Sequence, residues 1–324
     1  MSEHGCSVAQ SEAVHSRCAG ALVGAAVGDA LGAPYEFTYP DTGTPVAMKG
    51  GGAFGWEPGQ WTDDTDMAIC VAHGLVDGDG LTAASLDAIA ANFRRWLASG
   101  PKDVGRQTKV VLLHGGDTAE SMAAYSATKG RTGGNGSLMR TAVVGLRHLD
   151  RPDLAAEAAD RISAITHPDA DARLACALWS FSIAHAARHG DLDGPRRYLE
   201  EVAPEQVRGR WTDLLGQATA ADPRRDFPNN GWVVHALQTA WWAITTTPGT
   251  GEGHVVGALE RAVLAGGDTD TVASIAGALL GARWGLSAIP LTWRTAVHGW
   301  PGIDADGLEA LAARVVDAGR SATG

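Results

Sequence analysis

From Asp64 to Asp317 one helix-like segment follows another, and no βαβ rhythm alternates with them. No G-x-G-x-x-G opens any of these segments, so a doubly wound nucleotide-binding sheet is disfavoured. Composition points the same way. The 324 residues include 57 Ala and 42 Gly against 5 Phe and 4 Tyr, and Ala is the strongest helix former. Hydrophobic residues make up 45% of the chain, enough for a substantial core, which argues against global disorder. The expected fold class is all-α: a single compact multi-helix domain over residues 15–320, preceded by a loose terminus at residues 1–14.

Along the chain, His15–Leu31 is Ala- and Val-rich and reads as a buried helix despite its glycines. Thr38–Gln60 carries Pro40, Pro45, Pro58 and Gly50 to Gly52, which cannot sustain a helix, so a long loop is expected there, either serving a site or disordered. The helices expected after it include Asp64–Val76, Val104–His114, Leu138–Leu149, Gly231–Ile244, Thr269–Gly281 and Ala305–Asp317. Thr82 and Asp304 stand where helix caps belong. In Ala170–His189, the residues Leu174, Ala177, Leu178, Phe181 and Ala184 recur at steps of three and four and form one buried face. His235 and Trp242 lie on an apolar helix and read as core. Ala221–Asn230 is polar and contains proline, but it is short enough to be an internal loop.

Several function classes fall away. The net charge of −11 argues against an extended nucleic-acid footprint. Cys6, Cys18, Cys70 and Cys176 form no C-x-x-C pair, which leaves a zinc knuckle, an iron–sulfur ligand set and a thioredoxin-type pair without support. Four cysteines in a chain of this size suggest no disulfide framework, so the expected compartment is the reducing cytoplasm. The first fourteen residues show no secretory signal pattern. No uncharged apolar stretch reaches the roughly 18 residues of a membrane span, so no membrane partner is expected.

The chemistry concentrates at two helix starts. Thr62-Asp63-Asp64-Thr65-Asp66 puts three carboxylates into four positions beside apolar Met67, Ala68 and Ile69, an arrangement that is costly unless something positive sits between them. Helix-start amides stabilise part of that charge, but capping needs only one carboxylate. Some 200 residues on, Gly266-Gly267-Asp268-Thr269-Asp270-Thr271 again precedes a nearly uncharged helix. An ordinary capped helix start is the competing reading of either cluster. Together, Asp63, Asp64, Asp268 and Asp270, with the hydroxyls of Thr62 and Thr271, offer hard oxygen donors. Such donors suit Mg²⁺ or Mn²⁺, and the lack of histidine disfavours zinc. Four carboxylates exceed the need of one magnesium, so two ions about 3.5–4 Å apart are expected.

These segments belong to an ordered set. Gly24-Ala25-Ala26-Val27-Gly28-Asp29-Ala30-Leu31-Gly32 with Glu36 comes first, then Trp61-Thr62-Asp63-Asp64-Thr65. Gly133-Gly134-Asn135-Gly136-Ser137-Leu138-Met139-Arg140, Ile165-Thr166-His167-Pro168 and the Gly266–Thr271 cluster follow. In this order the chain resembles the ADP-ribosylglycohydrolase family, which includes the dinitrogenase-reductase-activating glycohydrolases and related ADP-ribosyl-acceptor hydrolases. The resemblance spans residues 18–285. It implies an all-helical fold, a cleft with two Mg²⁺ or Mn²⁺, and removal of ADP-ribose from modified arginine, serine or related acceptors.

By the same resemblance Thr62, Asp63, Asp64, Asp268, Asp270 and Thr271 correspond to the metal ligands. Glu36 corresponds to the glutamate near the scissile bond, and its place after Gly28, Gly32 and Pro34, where a helix breaks toward the loop, agrees with a site role. A solvated glutamate after a helix end is the competing reading. Asp29 is expected to bind loop amides or a nearby water rather than the metal. Gly134, Asn135, Gly136 and Ser137 form a turn whose amides, ahead of a helix at Leu138, suit a diphosphate, although a tight turn with an N-cap would look the same. Met139 reads as core. His167 corresponds to the family's cleft histidine, against the alternative of a surface turn. Asp103 resembles the acidic residue that arginine-directed members place near the substrate, though it could instead cap the helix after it.

The expected reaction is attack of a metal-activated water at C1″ of the distal ribose. Asp63 and Asp268 hold the reacting centre, and Glu36 orients water or moves a proton. The expected partner is ADP-ribose or an ADP-ribosylated substrate, including ADP-ribosylated protein. Arginine, serine, an acetyl ester and a base all present the same ADP-ribose handle, so the acceptor stays open at this point. Two other functions use the same residues. One is a two-metal hydrolase of phosphoesters or other ADP-ribose conjugates. The other is an ADP-ribose-binding protein without turnover.

Overall fold

Glycines at every fourth position decide how the first helix packs. The computed structural model describes residues 3–130 and 132–321, with side chains from residue 10 onward. The first helix runs Glu3–Gly32, reaching back through the stretch expected to be a loose terminus, of which residues 1–2 lie outside the described residues. Its described side chains before Cys18 are exposed or half-buried, and everything from Cys18 to Glu36 is buried. Gly20, Gly24, Gly28 and Gly32 lie on one face. A Cβ at Gly24 would come within 2.4 Å of the Gly277 carbonyl oxygen, and one at Gly28 within 2.0 Å of the Ala273 oxygen. A Cβ at Gly32 would fall 2.4 Å from the Asp270 Cα, and one at Gly281 only 1.8 Å from the Gly20 oxygen. The partner is the Thr269–Trp284 helix, buried from Thr269 to Ala282. The contacts run in opposite chain directions, so the two helices are antiparallel and touch backbone to backbone. The end of the first helix is thereby laid against the start of the Thr269–Trp284 helix.

The other helices surround this pair. Asp63–Val76 packs on Ala83–Ala98 and on the last helix, Ala305–Ser321, while Pro152–Ala164 packs on Ala170–His189. Among the described residues the only strand pair is a two-residue hairpin, His298–Gly299 with Ile303–Asp304, too short to show an alternating pattern in sequence. The all-α expectation holds. Thr82 caps its helix through the Ser85 amide at 3.3 Å, and Asp304 accepts from Gly307 at 3.1 Å. No helix is long and apolar enough to cross a membrane among the described residues.

Two local expectations need correcting. Leu138–Leu149 is not a helix. It is a series of tight turns closed by i→i+3 bonds such as Leu138 N to Asn135 O (2.8 Å) and Val144 N to Thr141 O (3.0 Å), with a four-residue helix at Val144–Arg147. Side chains take carbonyls that a helix would use here: the Thr141 hydroxyl donates to Ser137 O (3.1 Å), and the Ser180 hydroxyl donates to Thr141 O (2.8 Å). His235 and Trp242 are half-buried rather than core, and the His235 ring leans on Trp232 with centroids 4.8 Å apart. Ala170–His189 is buried around most of its circumference, although Leu174 itself is only half-buried.

Thr38–Gln60 is a loop, as expected, and it is tied down. The Tyr35 hydroxyl donates to Pro45 O and accepts from Ala47 N, each at 3.1 Å. Gly51 pairs with Trp56, and the Lys102 ammonium donates to Gly55 O (3.2 Å) and Gln60 Oε1 (2.9 Å).

Candidate metal centre and cleft

Asp29 is the tether between the first helix and the first acidic cluster. Fully buried, its carboxylate accepts from the Thr62 amide (3.0 and 3.1 Å), the Thr65 amide (3.0 Å) and the Thr65 hydroxyl (2.6 Å). Burial pushes it up to about 6, against the pull of those bonds. This is the amide-binding role expected for it.

Thr62, not a carboxylate, caps the Asp63–Val76 helix by accepting from Asp64 N at 3.4 Å. Asp66 turns away from its neighbours and accepts from the indoles of Trp61 (3.0 Å) and Trp96 (2.9 Å). Burial raises its pKa to about 8, with the Trp96 bond opposing. Asp63 and Asp64 are left over, both buried. Asp63 accepts from Gly105 N at 3.4 Å, beside Asp103, and Asp64 accepts from the Thr271 hydroxyl at 3.2 Å. That last bond joins residues 207 apart in sequence, so the two acidic helix starts meet.

The second cluster is not spent on capping either. Asp268 occupies the N-cap position of the Thr269–Trp284 helix and makes no side-chain cap bond. Its Oδ2 instead accepts from Asn135 Nδ2 at 2.8 Å. Asn230 fixes the loop: its side chain accepts from Asp268 N (3.0 Å) and donates to Gly266 O (2.8 Å), while its own carbonyl accepts from Asn135 Nδ2 (3.0 Å). Gly267, at φ +76°, passes so close to Asn230 that a Cβ would lie 2.4 Å from its Oδ1. Glu36 arrives from the other side. Phe37 N donates to Gly267 O (2.7 Å) and Gly267 N donates to Thr38 O (2.8 Å).

The result is a cluster of carboxyl groups. Carboxylate oxygens of Glu36, Asp268 and Asp270 lie within 4.8 Å of one another, a grouping that can hold one metal ion. Among the described residues no Lys or Arg forms an ion pair with these acids or with Asp63 and Asp64. Burial, then Asp268, Asp103, Asp63 and Asp29, push Glu36 up to about 9. Asp63, Asp64 and Asp270 are driven well above the carboxylate range, first by burial and then by their acidic neighbours. Glu36 Oε2 and Asp64 Oδ1 are buried without a hydrogen-bond partner. Orphaned carboxylate oxygens in a histidine-free and cysteine-free donor set fit a hard divalent cation. The sequence put Glu36 beside the bond to be broken; the structure groups its carboxylate with two expected ligands.

Asp103 is half-buried and does not cap the following helix, which begins at Arg106 with Gly105 as N-cap. Burial raises its pKa, the Val104 amide opposes, and Asp268 adds to the rise. The Gly134–Ser137 turn is in place, but the helix expected behind it is not, so no helix dipole reinforces it. Among the described residues the amides of Gly136 and Ser137 bond to no protein group. The Ser137 hydroxyl faces inward, accepting from Ser163 at 2.8 Å. Met139 is core, as expected, and its sulfur touches the Thr271 hydroxyl at 3.8 Å. His167 is buried against this turn rather than exposed. Asn230 escaped the sequence reading, and Arg140 entered it only as the end of the Gly133–Arg140 motif, without a role. For Arg140 the available signal was a lone charge inside the apolar run Leu138–Val144.

Comparison with known proteins agrees with this fold. The model of the ADP-ribosylglycohydrolase family matches residues 10–323. The ADP-ribosyl-[dinitrogen reductase] glycohydrolase of Rhodospirillum rubrum is 31% identical over 293 residues, covering 86% of this chain and 90% of the relative. The ADP-ribosylarginine hydrolase Tri1 of Serratia proteamaculans (strain 568) is 28% identical over 300 residues, covering 89% of this chain and 76% of its own. A solved ADP-ribosylglycohydrolase-related protein complex superposes with a TM-score of 0.74 at 28% identity, covering 95% of this chain and 99% of that one. The chain belongs to the ADP-ribosylglycohydrolase family.

Proposed function

We propose that this member of the ADP-ribosylglycohydrolase family hydrolyses the bond between the distal ribose of ADP-ribose and an acceptor side chain, with ADP-ribosylarginine as the leading substrate. The observation that carries the reading is the meeting of the two acidic helix starts, where Asp64 and Thr271 touch and Glu36 joins Asp268 and Asp270. The arginine acceptor rests on the arginine-directed relative and on half-buried Asp103, a carboxylate suited to a guanidinium.

Thr62, Asp63, Asp64, Asp268, Asp270 and Thr271 would hold two divalent cations, Mg²⁺ or Mn²⁺, with Glu36 at their edge. Bound there, the cations would supply charge neutralisation and easier deprotonation of water. The chain's own contribution is positioning. Asp29 holds the Thr62–Thr65 helix start in place, and Asn135 with Asn230 holds Asp268. Glu36, at the edge of the centre, would orient the attacking water or move a proton between that water and the leaving nitrogen. The free amides of Gly136 and Ser137, with His167 behind them, suit the diphosphate. Buried free thiols at Cys18, Cys70 and Cys176 fit a reducing cytoplasm.

The test is a substrate panel of ADP-ribosylarginine, ADP-ribosylserine, O-acetyl-ADP-ribose and a phosphodiester, each run with Mg²⁺, Mn²⁺ or chelator. Free ADP-ribose released from the arginine adduct, and abolished by chelator, is the expected result. AMP or phosphate as product would replace this reading with that of a phosphoester hydrolase. Calorimetric ADP-ribose binding with no release from any adduct would leave a binding protein.

A further inference from the structure

Arg140 is completely buried, yet among the described residues no carboxylate pairs with it. Its guanidinium carbon sits 4.4 Å from the centroid of the Phe93 ring, and one terminal nitrogen lies 3.7 Å from Met67 Sδ. The other donates to the Thr166 hydroxyl oxygen at 2.7 Å. An unpaired buried cation is costly, so its retention calls for a use. The Thr166 hydroxyl is in turn 2.7 Å from Nδ1 of His167.

The bonding inventory decides the proton. Arginine only donates, so the Thr166 oxygen must accept from it. The remaining partner for the Thr166 hydroxyl hydrogen is His167 Nδ1. The opposite assignment would strand a fully buried O–H without an acceptor, which costs the full desolvation of that group. Nδ1 therefore accepts and Nε2 carries the hydrogen. His167 is 2% exposed, and among the described residues Nε2 bonds to no protein group. That nitrogen looks onto the glycine turn: a Cβ would stand 3.4 Å from it at Gly134 and 3.3 Å at Gly136. Glycine at both positions leaves open the space in front of the ring. An unpartnered N–H on a buried ring thus faces the turn, where among the described residues the Gly136 and Ser137 amides also bond to no protein group. Burial and the nearby Arg140 charge hold the imidazole neutral, well below its usual pKa.

We propose that Arg140 is a positioning residue, acting through Thr166 to hold His167 in its Nε2–H form so that the ring donates to an oxygen of bound ADP-ribose. The ligand half of this inference rests on the reading under Proposed function; the tautomer half does not.

The test uses the full chain labelled with ¹⁵N-histidine. Two-bond proton–nitrogen correlations report which ring nitrogen of His167 is protonated, and calorimetry with Mg²⁺ gives the ADP-ribose Kd. Wild type and Thr166→Ser should both show Nε2–H and agree in Kd within about twofold. Thr166→Val should lose the tautomer preference and weaken ADP-ribose roughly tenfold, the worth of one hydrogen bond to a charged group. Arg140→Met should change both in the same direction, and if it does not fold, the Ser and Val pair carries the test alone. An Nδ1–H ring in wild type, or an unchanged tautomer and Kd in Thr166→Val, overturns the proposal. A wild type with the Nε2–H ring and the Thr166→Val shift but no ADP-ribose binding overturns the ligand half and the cleft reading together.

Discussion

Gly28→Ala puts one methyl group where the first helix and the Thr269–Trp284 helix touch. Its carbon would stand 2.0 Å from the Ala273 oxygen, 2.4 Å from the Ala273 carbonyl carbon and 2.9 Å from Ser274 N, all backbone atoms that no rotamer change can clear. Ordinary contact begins at 3.4 Å, so the helices must part by about 3.4 − 2.0 = 1.4 Å at that point. Overpacking of this kind costs about 1–3 kcal/mol, and a clash with rigid backbone belongs at the upper end. Helix propensity returns about 1 kcal/mol for replacing Gly by Ala. The net loss is about 2 kcal/mol, or roughly 3 °C in Tm for a chain of 324 residues. The functional effect should exceed the stability effect. Asp29 is the next residue along and Asp270 lies at the end of the same contact, so displacement of about 1 Å misplaces both acidic clusters, a change that can cost about 10²-fold in turnover. Thermal unfolding, Mn²⁺ calorimetry and release of ADP-ribose from ADP-ribosylarginine would be measured beside Gly43→Ala, whose Cβ meets nothing within 4 Å. Gly28→Ala matching that control in all three would refute the claim that backbone contact between these helices builds the site.

Three further outcomes are expected. Asp268→Ala should abolish Mn²⁺ binding and turnover while circular dichroism stays helical, because Asp268 makes no cap bond whose loss would open the helix; unchanged turnover would remove it from the centre. Asp66→Asn should lower stability by about 1–3 kcal/mol, since an amide cannot accept from both indoles and leaves one buried N–H unpaired, yet it should leave Mn²⁺ affinity nearly intact. In chelator, Tm should fall as pH rises. Asp29, Asp66 and Glu36 have folded values of about 6, 8 and 9, above their unfolded values of about 4, so the folded state binds more protons and that stabilisation is lost between about pH 4 and 9. Saturating Mg²⁺ should flatten or reverse the slope, because the ion needs the ionised carboxylates; a Tm in chelator that climbs across this window would contradict the raised values.

The acidic starts were legible because burying several carboxylates beside apolar residues is costly, and that cost shows in local sequence. Their division of labour was not. Asp66 and Asp64 are two residues apart, but one faces a pair of indoles and the other faces Thr271 from a distant segment. The turn at Gly134–Ser137 could be read from its glycines. The helix expected at Leu138 gave way to turns, in which the Thr141 and Ser180 hydroxyls take the Ser137 and Thr141 carbonyls that a helix ladder would use. Asn230 lay in a stretch that looked like plain loop, and its role exists only because the Gly266–Asp268 segment folds back onto it.

Periodicity and composition are properties of neighbours in the chain, so the helical class and the presence of two carboxylate-rich helix starts followed from sequence alone. The placement of Asp29 against Thr62, of Glu36 against Asp270 and of Arg140 behind His167 required segments up to hundreds of residues apart to pack together. That packing is set by how closely two glycine-faced helix backbones can approach, a distance that exists only once the chain has folded.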